Sequence, residues 1–171
     1  MALIDIGAEA KDRPSLEAGN TTHIALDNPA NLTGKITSIE LWFGGVFDAT
    51  DVRVGTFYGT APNFTCRDYA VIGDVARGSK QTFTKDSEET PLAIAVEAGD
   101  YIGIFNNVGQ LESTTVIGLG IYYKVGDQTE TGEQTYGLYA GVIISVYGEG
   151  ATPVAMAGSP VVSAVIALDL I

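Results

Sequence analysis

One cysteine, one histidine and nine basic residues are what this 171-residue sequence has least of. Cys66 stands alone, so no disulfide framework closes within the chain, and a lone cysteine behaves as a small buried hydrophobe. One Cys and one His fall short of a zinc site. His23 is the single imidazole and lies in a β-patterned stretch. No G-x-S-x-G elbow accompanies it, which argues against a Ser-His-Asp or Cys-His hydrolase. The nine Lys and Arg face 21 Asp and Glu, a net charge of −12. Such a surface repels phosphate backbones and anionic bilayers, so neither nucleic acid nor a membrane surface is an expected partner.

Other signals are missing as well. Met1–Ile6 carries no basic n-region and no long apolar h-region, so a cleavable secretory signal is not expected. The longest uncharged stretch, 150–168, contains Pro153, Gly158 and Pro160 and has no flanking Lys or Arg, which excludes a spanning helix there. No sustained i, i+3, i+4, i+7 stripe bounded by caps runs anywhere along the chain. Gly118-Leu119-Gly120 lies in an apolar run with no helix behind it, so it is not a dinucleotide fingerprint.

What is present is glycine, 21 residues of it, and short β-rich runs separated by Gly, Asn and Asp. Strands are expected over 2–6, 22–26, 34–43, 51–58, 65–72, 79–83, 91–96, 100–106, 114–124, 134–139, 141–147 and 161–171. In 34–43, Ile36, Ser38, Glu40 and Trp42 alternate with Lys35, Thr37, Ile39, Leu41 and Phe43. The runs 91–96 and 100–106 read as a hairpin across Glu97-Ala98-Gly99. Three Asn-x-Thr sequons, at Asn20, Asn31 and Asn63, read as turn chemistry. The pattern predicts an all-β protein, a jelly-roll-like antiparallel β-sandwich of about 10–12 short strands with little or no helix.

The chain divides into a sandwich body, 1–148, and a C-terminal apolar arm, 149–171, that begins in the stretch 148–153. After Lys124 no Lys or Arg occurs. The segment 160–171 is apolar on both faces, with Val161, Val162, Val165, Ile166, Leu168, Leu170 and Ile171 as candidate assembly residues. A strand of that kind needs burial on both sides. It serves either as core of the same sandwich or as a strand added to a neighbouring subunit.

Acids are plentiful enough for calcium, with Asp48, Asp51, Asp127, Glu130 and Glu133 as the candidate ligands, although neither loop matches an EF-hand. No other cofactor is expected. A carboxylate glycosidase needs two acids across a cleft, and nothing in the sequence singles out a pair. Exposed aromatics could instead serve as a sugar platform, with Trp42, Tyr122 and Tyr123 as candidates. Adjacent Tyr122 and Tyr123 must point to opposite faces of a strand, so one of them can lie outside.

Val96-Glu97-Ala98-Gly99-Asp100-Tyr101-Ile102-Gly103-Ile104 resembles the late hairpins of jelly-roll domains, which occur in trimeric ligand families and in phage virion-surface proteins. Over the body the chain looks most like a capsid decoration or tail-surface protein of a tailed phage. That resemblance implies a non-enzymatic structural protein at the surface of a virion or other extracellular particle. It implies homo-oligomers, a trimer first, and contact with a capsid or tail protein. A carbohydrate-binding or host-recognition module is the alternative.

Overall fold

The computed structural model describes residues 3–153. Among these the chain is all-β and antiparallel, in thirteen strands. A first sheet places β4 (Gly34–Gly44) beside β13 (Val146–Ala151), and β13 beside β1 (Leu3–Gly7). The other edge of β4 carries β7 (Lys80–Phe83) and β8 (Ile94–Val96). The second sheet runs β10 (Gln110–Val125), β3 (Thr21–Ala25), β9 (Tyr101–Asn106), β5 (Ala49–Thr60), β6 (Asn63–Val75), β11 (Gln134–Thr135). Two further strands, β12 (Gly137–Ile144) and β2 (Ser15–Ala18), pair with β10. The sheets meet where Gln110 and Leu111 pair with Gly44 and Phe43.

Between the sheets lies one continuous apolar core. Ile4, Ile6, Ile39, Leu41 and Val146 come from the first sheet; Val54, Ile102, Ile104, Leu111, Ile121 and Ile144 come from the second. Burying each such side chain stabilises the fold by roughly 1.5–3 kcal/mol. The expected alternation along 34–43 is broken once. Ser38 pairs with Glu149 but Ile36 pairs with Gly150, so Thr37 is an extra residue in β4. That bulge puts Ile36 and Ile39 on the same buried side, against strict period two.

A smaller aromatic cluster, of Ile24, Phe57, Phe64 and Tyr136, covers the outer face of the second sheet, with Tyr101, Tyr122 and Cys66 packed against it. Phe64 meets Tyr101 edge-on at 5.9 Å and Tyr122 tilted at 4.9 Å between centroids.

Three expectations need correction. Residues 94–96 and 101–106 do not form a hairpin: β8 pairs with β4 in one sheet, and β9 with β3 and β5 in the other. The Glu97–Asp100 turn therefore carries the chain between sheets. Gly99 takes φ +94°, the Asp100 amide donates to the Glu97 carbonyl at 3.0 Å, and Asp100 pairs bidentately with Arg67 at 2.6 and 3.1 Å. Ser15–Ala18 forms a strand the sequence pattern does not announce. The runs 134–139 and 141–147 divide elsewhere, at Tyr136 and Ser145. β13 runs through Ala151 in the first sheet. The rest of the arm, including Val161, Val162, Val165, Ile166, Leu168, Leu170 and Ile171, lies outside the described residues.

Two devices shape the second sheet. The first is a bend. Ala18 pairs with Gln110 and Thr21 with Val125, yet only two residues separate β2 from β3. A straight strand of that length would span about 50 Å, so β10 must fold sharply on itself. The register break lies between Thr115 and Gly120, opposite Gly141 at φ +77°, so β10 and β12 turn together.

The second device is a polar corner. Ser145 separates β12 from β13, where the chain leaves one sheet for the other. Its hydroxyl accepts from Arg13 Nε at 2.8 Å and donates to the Lys11 carbonyl at 2.7 Å. Its amide donates to the Glu112 carbonyl, and the Glu112 carboxylate accepts from the Arg13 amide at 3.0 Å. Ser145→Ala would leave the buried Arg13 guanidinium short of an acceptor. It should lower unfolding free energy by about 2 kcal/mol in chemical denaturation without changing the far-ultraviolet spectrum.

Candidate functional site

Beside the bend in β10 and β12 lies a solvent-open cavity of about 360 Å³. Its walls are Glu17 and Ala18 of β2, Thr21 and His23 of β3, Ile121 and Tyr123 of β10, and Leu138 and Tyr139 of β12. Strand pairing explains the grouping. His23 sits directly opposite Tyr123, and Ile121 opposite Tyr139, so these four share one face of the sheet. Tyr123 and Tyr139 are 43% and 51% exposed, whereas His23 is 4% exposed. Gly137 lies opposite Tyr123, and a Cβ there would stand 2.9 Å from the Tyr123 ring, so glycine lets that ring lie across the neighbouring strand.

The polar groups of the cavity are unusual in two ways. Nδ1 of His23 is enclosed and has no hydrogen-bond partner. An orphan of that kind costs about 1–3 kcal/mol. Burial also pushes the imidazole down to about 4, so at neutral pH the ring is uncharged. Glu17 accepts a hydrogen bond from Ser113 Oγ at 2.8 Å, yet burial raises its carboxyl above the ordinary range. A neutral imidazole, a carboxylate and two half-open phenol rings thus face one cleft. Among the described residues this cavity pairs no nucleophile with His23.

The sequence candidates fall in several places. Tyr122 and Tyr123 do face opposite ways: Tyr122 packs on Phe64 in the outer aromatic cluster and Tyr123 lines the cavity. Trp42 is half-buried on β4 opposite Lys80 and does not line it. Asp51 and Asp127 converge on Arg53, the latter at 2.8 Å, and the Asp127 carboxylate also accepts from the amide and hydroxyl of Thr129. Glu130 accepts from the Tyr69 hydroxyl, Asp48 accepts from the Arg77 amide at 3.1 Å, and Glu133 is exposed. Four of these acids thus fasten loops, and no group of three or more His, Cys, Asp or Glu gathers for a metal among the described residues. Cys66 is partly buried and its thiol is pushed up to about 12, chiefly by burial, which keeps it unreactive.

Glu17, Leu138 and Tyr139 were not singled out by sequence. Only the bend brings them to Tyr123, and its signal was the glycine pair Gly118 and Gly120 with Gly141. A larger cavity of about 510 Å³ lies between β6 and residues 86–94. Two of its three acids are occupied by the backbone: Asp68 accepts from the Tyr69 and Ala95 amides, and Asp86 from those of Glu88 and Thr90.

His23 fixes a pH dependence. Its folded value lies below the unfolded 6.5, so the unfolded chain binds the extra proton between pH 6.5 and about 4. The stabilisation is complete above pH 6.5 and declines on acidification, by about 3 kcal/mol once pH passes 4. Glu17, Glu112 and Asp27, all raised by burial, act in the opposite sense. Denaturation midpoints of the wild type and His23→Leu, measured from pH 7.5 to 4, should therefore diverge, with the steeper acid loss in the wild type.

No protein-family model matches this sequence, and no curated protein or solved structure matches it.

Proposed function

We propose that the protein is a non-enzymatic structural subunit that assembles with copies of itself and coats a larger, virion-like particle. The observation that carries this reading is the outer edge of β12. Among the described residues no strand pairs with it, and Gly137–Ile144 holds no charged residue. Native edges are normally protected by lysines, prolines or bulges, and an unprotected one invites a further strand. Leu138 is 55% exposed there, and Ile117, at the bend of the paired strand, is fully exposed. With a net charge of −12 on the chain, such an uncharged strip is the place where like subunits can meet without repulsion.

The occupant we assign to this edge is the two-faced apolar segment 160–171 of a second copy. It would add a strand and bury both faces at once. A sandwich of this kind that self-associates fits a capsid decoration or tail-surface protein, working at a particle surface beside a capsid or tail protein. No catalytic group is required by this reading.

Light scattering behind size exclusion should give three times the chain mass for the full chain. Chains ending at residue 153, or carrying Ala140→Lys on the exposed edge, should be monomers with unchanged β-type circular dichroism. A monomeric wild type overturns the reading. So does a truncated chain whose thermal midpoint falls while its mass matches that of the full chain, because the segment then belongs to its own sandwich.

A further inference from the structure

We propose that the cavity inside the β10–β12 bend binds a single neutral sugar ring of pyranose size. This goes beyond the assembly reading and does not rest on it: Leu138 borders both surfaces, but Glu17, His23 and Tyr123 of the cavity wall lie on strands other than β12.

Size comes first. Ligand cavities begin at about 300 Å³, and this one, at about 360 Å³, holds one ring and little more. Charge comes second. Glu17 on the wall and the acidity of the whole chain disfavour phosphates and carboxylates. Chemistry comes third. Glu17 accepts one hydrogen bond from Ser113 and, as a carboxylate, has acceptor sites left over. The His23 ring contributes an uncharged flank to the wall, with its Nδ1 enclosed behind it. Tyr123 and Tyr139 add hydroxyls that both donate and accept. A ligand rich in hydroxyls serves the carboxylate and both phenols, because each hydroxyl can give one hydrogen bond and take others.

Shape supports the same ligand. The C–H face of a pyranose is apolar and flat, and it packs on aromatic rings. Tyr123 and Tyr139 lie on one face of adjacent strands with their rings about half open, and Ile121 lies between His23 and Tyr139 in the wall. Gly137 leaves the space that the Tyr123 ring occupies. A quaternary ammonium would also suit tyrosines beside a carboxylate. It would leave the two phenol hydroxyls without hydrogen bonds to the ligand, which is why the neutral ring is favoured.

The test is titration of the full chain, followed by nuclear magnetic resonance and calorimetry. The probes are the methyl pyranosides of glucose, galactose, mannose and N-acetylglucosamine, with choline chloride as the cationic comparison. At least one pyranoside should shift the His23 and Tyr123 resonances, with a Kd on the order of 1 mM for so small a ligand. Tyr123→Ala and Glu17→Gln should each weaken binding about tenfold, while Tyr123→Phe, which keeps the ring, should retain most of it. Neither Tyr123 nor Glu17 lies on β12, so the oligomer mass should be unaffected. The proposal is overturned if no pyranoside shifts these resonances, if choline binds and the sugars do not, or if Tyr123→Ala binds as the wild type does. Should Tyr123→Ala prove misfolded, a tenfold loss in Glu17→Gln with native circular dichroism supports the proposal, and unchanged affinity in that variant overturns it.

Discussion

The corner at Ser145 is the constraint on which both sheets depend. One nearly continuous stretch, Gly137–Ala151, belongs to the second sheet before Ser145 and to the first sheet after it. A backbone that changes sheets must leave one ladder and enter another. Its polar groups would otherwise be buried without partners, each at a cost comparable to a lost hydrogen bond. Here the Ser145 amide still reaches the Glu112 carbonyl of the sheet being left. Its carbonyl already accepts the Trp42 amide of the sheet being entered. The hydroxyl then anchors Lys11 and Arg13, which close the corner from outside. A buried arginine demands acidic neighbours, and Glu112, Asp27 and Glu9 supply them. The arrangement is stable only as a set, because removing one partner strands the others.

The remaining arginines repeat this logic at the periphery. Arg67 holds the turn that crosses between sheets through Asp100 and Glu97, and its guanidinium also lies 4.5 Å above the Tyr58 ring. Arg53 draws together Asp51 and Asp127 and so fixes the loop whose far end delivers Tyr136 to the outer aromatic cluster. Arg77 donates to the Gly45 carbonyl while its amide is capped by Asp48. Scarce positive charge is thus concentrated where segments change direction. Most of the remaining acids face solvent, which leaves the exterior strongly negative.

This division explains what could be read from the sequence. Strands with regular alternation or dense β-branching, such as 34–43 and 51–58, declare themselves because local periodicity reports burial. The all-β class follows from many such segments together. The Gly99-Asp100 turn was legible as a turn. Its partner was not, since the same chemistry serves a hairpin and a crossover, and only Arg67, thirty-odd residues away, settles the matter. Asp51 and Asp127 share a counter-charge that local sequence does not reveal, because Arg53 belongs to a strand. Ser15–Ala18 carries no period of its own and is a strand only because half of β10 lies open beside it. Tyr123 could be placed on one of two faces by strand geometry alone, but its neighbours Glu17 and Tyr139 depend on the bend.

That bend is the step that joins architecture to use. A flat β10–β12 ladder would present Tyr123 and Tyr139 as scattered side chains on an open face. Folding it brings β2 and β3 to one side and turns the inner face into a walled cavity. The same fold pushes the residues of the register break outward, which is why Ile117 projects fully into solvent. It also leaves β12 along the rim with its far edge open among the described residues. A pocket on the inside and an uncharged strip on the outside are therefore two consequences of one bulge. Substitutions that straighten it, at Gly118 or Gly141 where φ is positive, strike both together, whereas Glu17 belongs to the pocket alone and Ala140 to the edge alone. The two surfaces are separable by side chain even though a single backbone irregularity creates them.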